Sequence, residues 1–200
     1  MRKLLIATEN QGKMREIKAL LADLNLEIVT PRMIGLHLSV VEDGQTYAEN
    51  ATRKAFAYAQ ASGLTALADD SGLEVDALDG APGLYSARYA PIPNATDADR
   101  RKYLLMKLEG KPRPWTAHFR ATVAITIPDG PVRVATGECQ GEIIPIERGQ
   151  NGFGYDPIFI VSELGHTMAE LSMDEKNRLS HRAKAVHNAI PILNEIFSAP

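Results

Sequence analysis

Two adjacent carboxylates, Asp69 and Asp70, follow the apolar run 64–68 and precede Ser71 and Gly72. Neighbouring carboxylates at the end of a buried strand repel each other and lose hydration, which costs free energy unless a cation is present. Hard oxygen ligands without histidine or cysteine suit Mg²⁺, which takes its remaining ligands from water and substrate phosphates. A capping or turn role is the alternative, because Asp, Ser and Gly are common in turns. The context of strand, acids and glycine favours a magnesium site.

A polar loop near the start of the chain has the residues to bind phosphate. It joins the apolar segment 3–8 to a helical pattern, so free backbone N–H groups and the positive end of a helix dipole face it. Its glycine spacing excludes a Walker A loop, and the alternative is a plain polar connection with Asn10 as a helix cap. The candidate phosphate ligands are Thr8, Glu9, Asn10, Gln11, Gly12 and Lys13.

A third group of polar residues lies between these two in the chain. Glu42 is part of a Glu-Asp-Gly sequence, which by itself is most often a solvated turn. Asn50 and Lys54 are four residues apart in a predicted helix and share one face, whereas Glu49 and Lys54 do not. A functional role for this group is supported only by the pair of acids at 69 and 70.

Glycines and aromatic residues alternate in the segment 149–157. Three glycines around Phe153 and Tyr155 let the backbone approach a flat ligand, and either ring could stack on a base. A bent loop that simply buries two rings is the alternative. The segment therefore predicts a base-binding loop, with a structural loop as its competitor.

Three basic residues near the end of the chain are further candidates. The sequence 172–175 matches a capping box, which places Lys176 early in a short helix. Ser180 can cap the last helix, and this places His181 and Arg182 in its first turn. Cations are unfavourable there, so a bound anion or a base carbonyl would account for them. The alternative is that these residues form a basic helix cap at the protein surface, with no role in ligand binding.

The elements that position these residues follow from hydrophobic periodicity. A strand over 3–8, a helix after it and a strand over 26–29 predict a right-handed βαβ unit. The alanine-rich segment 47–62 predicts a helix that ends at Gly63. We expect two short strands to flank the Asp69-Asp70-Ser71-Gly72 sequence, with irregular chain over 31–44.

The second half of the chain changes its pattern. Residues 97–108 predict a helix, and strict alternation over 116–127 and again from 132 onward predicts an antiparallel hairpin. The end predicts a helix with an apolar stripe, made of Leu179, Ala183, Val186, Ile190, Leu193 and Ile196. Together the elements predict an α/β fold with a mixed sheet.

Composition limits the class of protein. The 200 residues suit one domain, and 44% hydrophobic and 24% charged residues are ordinary for a globular protein. The net charge of −3 offers no general attraction to nucleic acid or to an anionic membrane. The single cysteine, Cys139, excludes an internal disulfide and a cysteine-based zinc site. We therefore expect a cytoplasmic protein without nucleic-acid or membrane partners.

Taken together and in this order, the motifs resemble those of the inosine triphosphate pyrophosphatase family. No single motif is decisive, but the ordered set extends over nearly the whole chain and is specific. The matching stretches are LIATENQGK at 5–13, ENA at 49–51, ALADDSGL at 66–73, GAPGLYSARY at 80–89, GFGYDPIF at 152–159 and SHR at 180–182.

The resemblance implies a fold and an activity. The fold is a mixed-sheet α/β arrangement of the Maf/ITPase-like (anticodon-binding-like) kind. Residues 1–200 would form a single domain in which two lobes share a central sheet and flank an active-site cleft, usually as a homodimer. The activity is Mg²⁺-dependent hydrolysis of the purine nucleotides ITP, dITP and XTP to the monophosphate and pyrophosphate. This reaction keeps deaminated bases out of DNA and RNA.

Motif matching also implies residue roles. The 8–13 loop and Lys54 would hold the triphosphate, and Ser71 would contact the substrate. Glu42 and Asp70 would bind Mg²⁺, and Asp70 would also take the proton from the attacking water. Asp69 would support them or add a further ligand. The base pocket would consist of Phe153, Gly154, Tyr155, Asp156, Lys176, His181 and Arg182.

Three other functions compete with this one. A Maf-like pyrophosphatase for pyrimidine nucleotides would share the chemistry and differ in the base pocket, and the segments 153–156 and 180–182 oppose it. A non-catalytic nucleotide-binding protein would bind ITP without releasing pyrophosphate. An RNA-binding module should display a basic face, which the net charge of −3 does not support.

Overall fold

The computed structural model describes residues 2–198 and contains one mixed sheet of six strands in the order β2-β1-β3-β4-β5-β6. The strands are β1 (Arg2–Ile6), β2 (Leu26–Val29), β3 (Thr65–Val75), β4 (Thr116–Thr126), β5 (Arg133–Ile143) and β6 (Phe159–Val161). The helices are α1 (Gln11–Leu20), α2 (Tyr47–Ser62), α3 (Asp97–Leu108), α4 (Met173–Leu179) and α5 (His181–Ser198). The predicted α/β class with a mixed sheet is confirmed.

The βαβ start is confirmed. Strand β1 runs parallel to β2 and to β3, with Leu5 opposite Val29 on one side and opposite Ala66 on the other. Leu4, Leu5 and Ile6 are all fully buried. A parallel strand is covered on both faces, which explains why this segment is an unbroken apolar run.

Local capping signals explain why two helices have the predicted bounds. Helix α2 ends at Gly63, whose φ of 69° is the left-handed conformation that suits glycine at a helix end. Helix α3 begins after Thr96, which forms a reciprocal capping box with Asp99. Each signal lies within a few residues of the boundary it sets.

The prediction of two short strands flanking residues 69–72 is wrong. One continuous strand, β3, runs through both acids, and the turn alternative is wrong for the same reason. Asp is a poor strand former, but its cost is offset here because both carboxylates are buried against cationic partners in the protein. Tertiary contacts therefore override the local preference.

Smaller differences concern the ends of elements. Strand β4 stops at Thr126, so Ile127, expected on its buried face, lies in the following turn and is 42% exposed. The C-terminal segment forms two helices, and Leu179 belongs to α4 and not to the stripe of α5. Residues 31–34, within the segment expected to be irregular, form a short 3₁₀ helix.

The chain divides into two compact units. The first comprises residues 2–70, 121–137 and 182–198, and two clusters of buried apolar residues form its core. The second comprises 71–120 and 138–181 and has a core of its own, which includes Trp115, Phe119 and Phe159. Among the described residues, every helix is too short or too polar to cross a lipid bilayer.

Candidate active site

Asp69 and Asp70 belong to two different side-chain clusters of the first unit. Successive side chains of a strand point to opposite faces, so adjacent residues of β3 meet different neighbours. Oδ2 of Asp69 accepts a hydrogen bond from Nε of Arg182 at 2.9 Å. Oδ2 of Asp70 accepts one from Nδ2 of Asn50 at 3.2 Å. The expected repulsion between the two acids is therefore relieved by separate partners.

The Asp69 cluster is a chain of alternating charges. Lys13 and Glu16 are three residues apart in α1 and share one face. Nζ of Lys13 lies 3.3 Å from Oδ2 of Asp69, and Arg182 joins Asp69 to Glu16. Glu16, Asp69 and Arg182 are each at most 4% exposed. Two cations balance two anions, which makes the burial of Glu16, Asp69 and Arg182 tolerable.

Electrostatic interactions in the Asp69 cluster favour the ionised forms of Asp69 and Arg182. Burial by itself would raise the pKa of Asp69, but the charges of Arg182 and Lys13 outweigh it and hold that pKa well below its usual range. Burial also lowers the pKa of Lys13, which Asp69 only partly opposes. Asp69 is therefore a fixed anion that holds Lys13 in place.

Arg182 lies in the first turn of α5, as the sequence predicts. The positive end of a helix dipole disfavours a cation there. The sequence predicts a bound anion or a base carbonyl as the partner of such a cation, whereas the structure supplies the carboxylates of Asp69 and Glu16. Glu16 was missed by the sequence reasoning, and its only local signal is the three-residue spacing from Lys13.

The Asp70 cluster is centred on Lys54 of α2. Its Nζ donates to Oε2 of Glu42 at 2.9 Å and to the backbone oxygen of Asp69 at 3.0 Å. The same Nζ lies 3.7 Å from Oδ1 of Asp70. One ammonium group thus reaches both of the carboxylates that motif matching assigns to the metal.

Asn50 ties this cluster to the loop that carries Glu42. It lies one turn before Lys54 on the same face of α2, and its side chain is buried. Its Nδ2 donates to Asp70, while its Oδ1 accepts from the backbone N–H of Gly44 at 2.8 Å. The helical spacing predicts that Asn50 and Lys54 share a face, but it assigns Asn50 no role in the site.

The oxygen atoms of Glu42 and Asp70 fit a hard divalent cation. They converge on one point charge, and no three His, Cys, Asp or Glu side chains among residues 2–198 form a metal-binding group by themselves. Burial raises the pKa of Asp70, although Lys54 and Lys13 oppose the shift. A bound cation would stabilise the ionised form. Mg²⁺ suits such a set, because it keeps several waters and takes other ligands from phosphates.

The predicted phosphate loop leads into α1, which begins at Gln11. Asn10 caps this helix, because its Oδ1 accepts from the backbone N–H of Lys13 at 3.0 Å. Oγ1 of Thr8 accepts from the N–H of Asn10 at 3.2 Å. Gly12 is buried, whereas Glu9, Asn10 and Gln11 are exposed. The capping role of Asn10 is confirmed, and phosphate binding by the loop stays a prediction.

In the second unit, the structure brings together three of the predicted base-pocket residues. Oδ2 of Asp156 accepts from the backbone N–H of Phe153 at 2.9 Å and from Nζ of Lys176 at 2.6 Å. That Nζ lies 5.2 Å from the centre of the Phe153 ring. A Cβ built on Gly152 would collide with Oδ2 of Asp156, so glycine is needed for this close approach.

Two other predicted pocket residues have core partners in the second unit. Tyr155 is 4% exposed, and its hydroxyl donates to the carbonyl of Ser86 at 2.9 Å. Its ring is thus part of the core, and the stacking prediction narrows to the half-buried Phe153. His181 is buried and stacks on Phe119 with ring centres 4.7 Å apart. Ser71 lies half-buried in β3 of the same unit.

Comparison with known proteins gives consistent matches. The model of the Ham1 family matches residues 4–192. A dITP/XTP pyrophosphatase of Desulforamulus reducens is 48% identical over 196 residues, which cover 98% of this chain and 97% of the relative. A dITP/XTP pyrophosphatase of Geobacter sulfurreducens is 49% identical and is covered to 94%, with 93% of this chain.

Solved structures agree with these matches. A HAM1 protein from Coxiella burnetii has a TM-score of 0.88 at 40% identity, with 98% of this chain and 100% of that chain covered. The Ham1 protein of Staphylococcus aureus has a TM-score of 0.80 at 40% identity, with 98% of each chain covered.

Proposed function

The chain belongs to the Ham1 family, and we propose that it hydrolyses deaminated purine nucleotides, namely ITP, dITP and XTP, to the monophosphate and pyrophosphate. One observation carries the proposal. Lys54 contacts both carboxylates that suit a metal, Glu42 and Asp70, in a chain that matches dITP/XTP pyrophosphatases over nearly its whole length.

Glu42 and Asp70 are the residues that would hold Mg²⁺. When bound, the ion supplies neutralising charge for the phosphates and for the leaving pyrophosphate. Lys54 and Lys13 add positive charge for the triphosphate, and the N-terminus of α1 adds backbone N–H groups. Asp69 keeps Lys13 in place through the ion pair at 3.3 Å. Phosphate transfer depends mainly on such positioning and charge stabilisation.

Asp70 is the proposed general base. It takes a proton from the water that attacks the α-phosphorus, and the bond from that phosphorus to the bridging oxygen breaks to release pyrophosphate. Asp70 can act as a base because a positioned carboxylate within hydrogen-bond reach of a water accepts its proton in the transition state. Asn50 and Lys54 fix its orientation through their contacts with the two carboxylate oxygens.

Selection of the base is proposed to rest on the purine 6-position. Hypoxanthine and xanthine carry an acceptor oxygen there, whereas adenine carries a donor amine. Lys176 can donate to an oxygen, and a donor left unpaired against adenine costs binding energy. Phe153 offers a ring for stacking. Guanine also has a 6-oxygen, so its exclusion must involve the 2-position. Gly154, Asp156, His181 and Arg182 remain proposed pocket residues.

One assay tests the proposal. The protein is incubated with ITP, XTP, dATP, dGTP, dTTP or UTP in the presence of Mg²⁺, and pyrophosphate and orthophosphate are measured separately. We expect pyrophosphate from ITP and XTP, and none after the metal is chelated. Release of orthophosphate, or no release at all, contradicts the proposal. Pyrophosphate from dTTP and UTP alone would instead indicate a Maf-like enzyme.

The homodimer and the cytoplasmic location are also proposals. They come from the resemblance and from the unremarkable composition. Light scattering on the purified protein measures the first, and cell fractionation measures the second. A monomer at all concentrations would contradict the proposed assembly without affecting the proposed reaction.

A further inference from the structure

Helix α3 holds the loop that carries Phe153 by the two backbone polar groups of one residue, Gly154. The N–H of Gly154 donates to Oδ2 of Asp97 at 2.7 Å. The carbonyl of Gly154 accepts from Nη1 of Arg101 at 2.8 Å. Asp97 and Arg101 are four residues apart in α3 and therefore share one face. We call this pair of contacts the α3 clamp.

Other residues fix the two side chains of the clamp, Arg101 and Asp97. Arg101 forms a two-point ion pair with Glu147, with Nε to Oε1 at 2.8 Å and Nη2 to Oε2 at 3.0 Å. A bidentate pair fixes the plane of the guanidinium group. Burial would raise the pKa of Asp97, but the hydrogen bond from Gly154 and the contact with Arg100 hold the pKa below its usual value. The clamp therefore uses two charged groups.

The residue before Gly154 is held from the other direction. The N–H of Phe153 donates to Asp156, and the Phe153 ring faces Nζ of Lys176. Gly154 has a φ of 62° and no side chain. Other residues can therefore fix its position only through its backbone N–H and carbonyl groups. The peptide groups on each side of the Phe153 ring are thus bound by different elements of the second unit.

We propose that Asp97 and Arg101 are positioning residues that set base selectivity, because the α3 clamp fixes the Phe153 ring where a purine stacks. This inference rests on the proposed function and deepens it. Without the clamp the loop gains freedom, the ring contributes less to binding, and the preference for a 6-keto purine falls. The proposed phosphate-binding residues belong to the first unit and the clamp residues to the second, so we expect the chemistry at the phosphates to persist.

Matched variants of α3 test the proposal. Arg101→Ala and Asp97→Ala each remove one side of the clamp. Lys102→Ala and Glu109→Ala are the controls, because each removes a charge of the same sign from α3 or the residue that follows it. Both side chains are exposed. Asp97→Asn keeps an acceptor oxygen and should restore most of the function.

The measurements are kcat and KM for ITP and dATP, together with inhibition by pyrophosphate as a probe of the phosphate end. We expect the clamp variants to lower the ITP-to-dATP ratio of kcat/KM by about tenfold, mainly through KM. Pyrophosphate inhibition should stay unchanged, and the controls should stay within about twofold of the wild type. An unchanged ratio in both clamp variants overturns the proposal.

Two measurements do not require turnover. Amide hydrogen exchange over 152–156 should be faster in the clamp variants than in the controls, and the preference for IMP over AMP, measured by calorimetry, should fall. If amide exchange is faster but the preference for IMP over AMP is unchanged, Asp97 and Arg101 do not set base selectivity. If amide exchange is unchanged, the α3 clamp does not restrain the loop. Absence of pyrophosphate release from ITP by the wild type would instead contradict the proposed function.

Discussion

The two candidate regions are held together in different ways. In the first unit, charged side chains bind other charged side chains, as in the chain from Lys13 through Asp69 to Arg182. In the second unit, a charged side chain also binds the backbone of a glycine-rich loop, because Asp156 pairs with Lys176 and accepts from the N–H of Phe153. The first region therefore depends on the identity of each charged residue. The second depends in addition on how closely the backbone of the loop approaches the side chains that bind it.

The largest effect is expected from Asp70→Asn. This change removes the proposed base while keeping the size and the polar contacts of the side chain. We expect kcat to fall by about a hundredfold or more, because a positioned base contributes at least that much. Nucleotide affinity and the unfolding midpoint should change little. Substantial turnover by the variant would remove Asp70 from the role of base.

Arg182→Met should have the next largest effect, on stability. It leaves the carboxylates of Asp69 and Glu16 buried without their shared cation, which costs about 3–5 kcal/mol of unfolding free energy. Urea unfolding measures the loss. Arg133→Met is the control, because it breaks an ion pair with Glu195 whose side chains are 40% and 65% exposed. Equal losses of unfolding free energy in the two variants would show that the buried ion pairs of Arg182 stabilise the fold no more than an exposed ion pair does.

Gly152→Ala probes the close approach in the second unit. The new Cβ would collide with Oδ2 of Asp156 and disturb its pair with Lys176. We expect KM for ITP to rise about tenfold, as for the loss of one charge-assisted hydrogen bond. Gly165→Ala is the matched control: its φ of 67° imposes the same backbone strain, and a Cβ there meets nothing within 4 Å. A similar KM in both variants would exclude the collision as the cause.

The smallest expected effect is on the free energy of unfolding at low pH. The pKa of Asp97 is lowered in the folded protein, so this residue stabilises the fold above its unfolded pKa and loses that contribution as the pH falls through its folded pKa. Unfolding free energy should therefore decline less between about pH 5 and pH 3 in Asp97→Asn than in the wild type. Identical pH profiles would mean that Gly154 does not stabilise the ionised carboxylate.

Elements with local signals were predictable from the sequence. Helices α2 and α3 have the predicted bounds because Gly63 and the Thr96 capping box lie at their ends. Strand β3 was not predictable in this way. Its two acids favour a turn locally, and partners 15 or more residues away in the chain decide the matter.

The same division applies to the candidate site. Lys54, Asp70 and Glu42 were identified from motifs, and the structure places them in one cluster. Glu16, Asp97 and Arg101 were not identified, because ordinary charged residues on helices have no distinctive spacing when their partners are distant in sequence. Such residues become recognisable only once burial and contacts are known.

The sequence by itself determined the chemical types available: two adjacent acids, a polar loop before a helix, and glycines beside aromatic rings. Residue types and short spacings are properties of the sequence itself, so these features could be identified without knowledge of the fold. Only the tertiary structure decided that Asp69 faces Arg182 and Asp70 faces Asn50, because strand pleating separates neighbours that are adjacent in sequence. It also decided that the charge of Arg182 is balanced by protein carboxylates, since long-range pairing determines which buried charges meet.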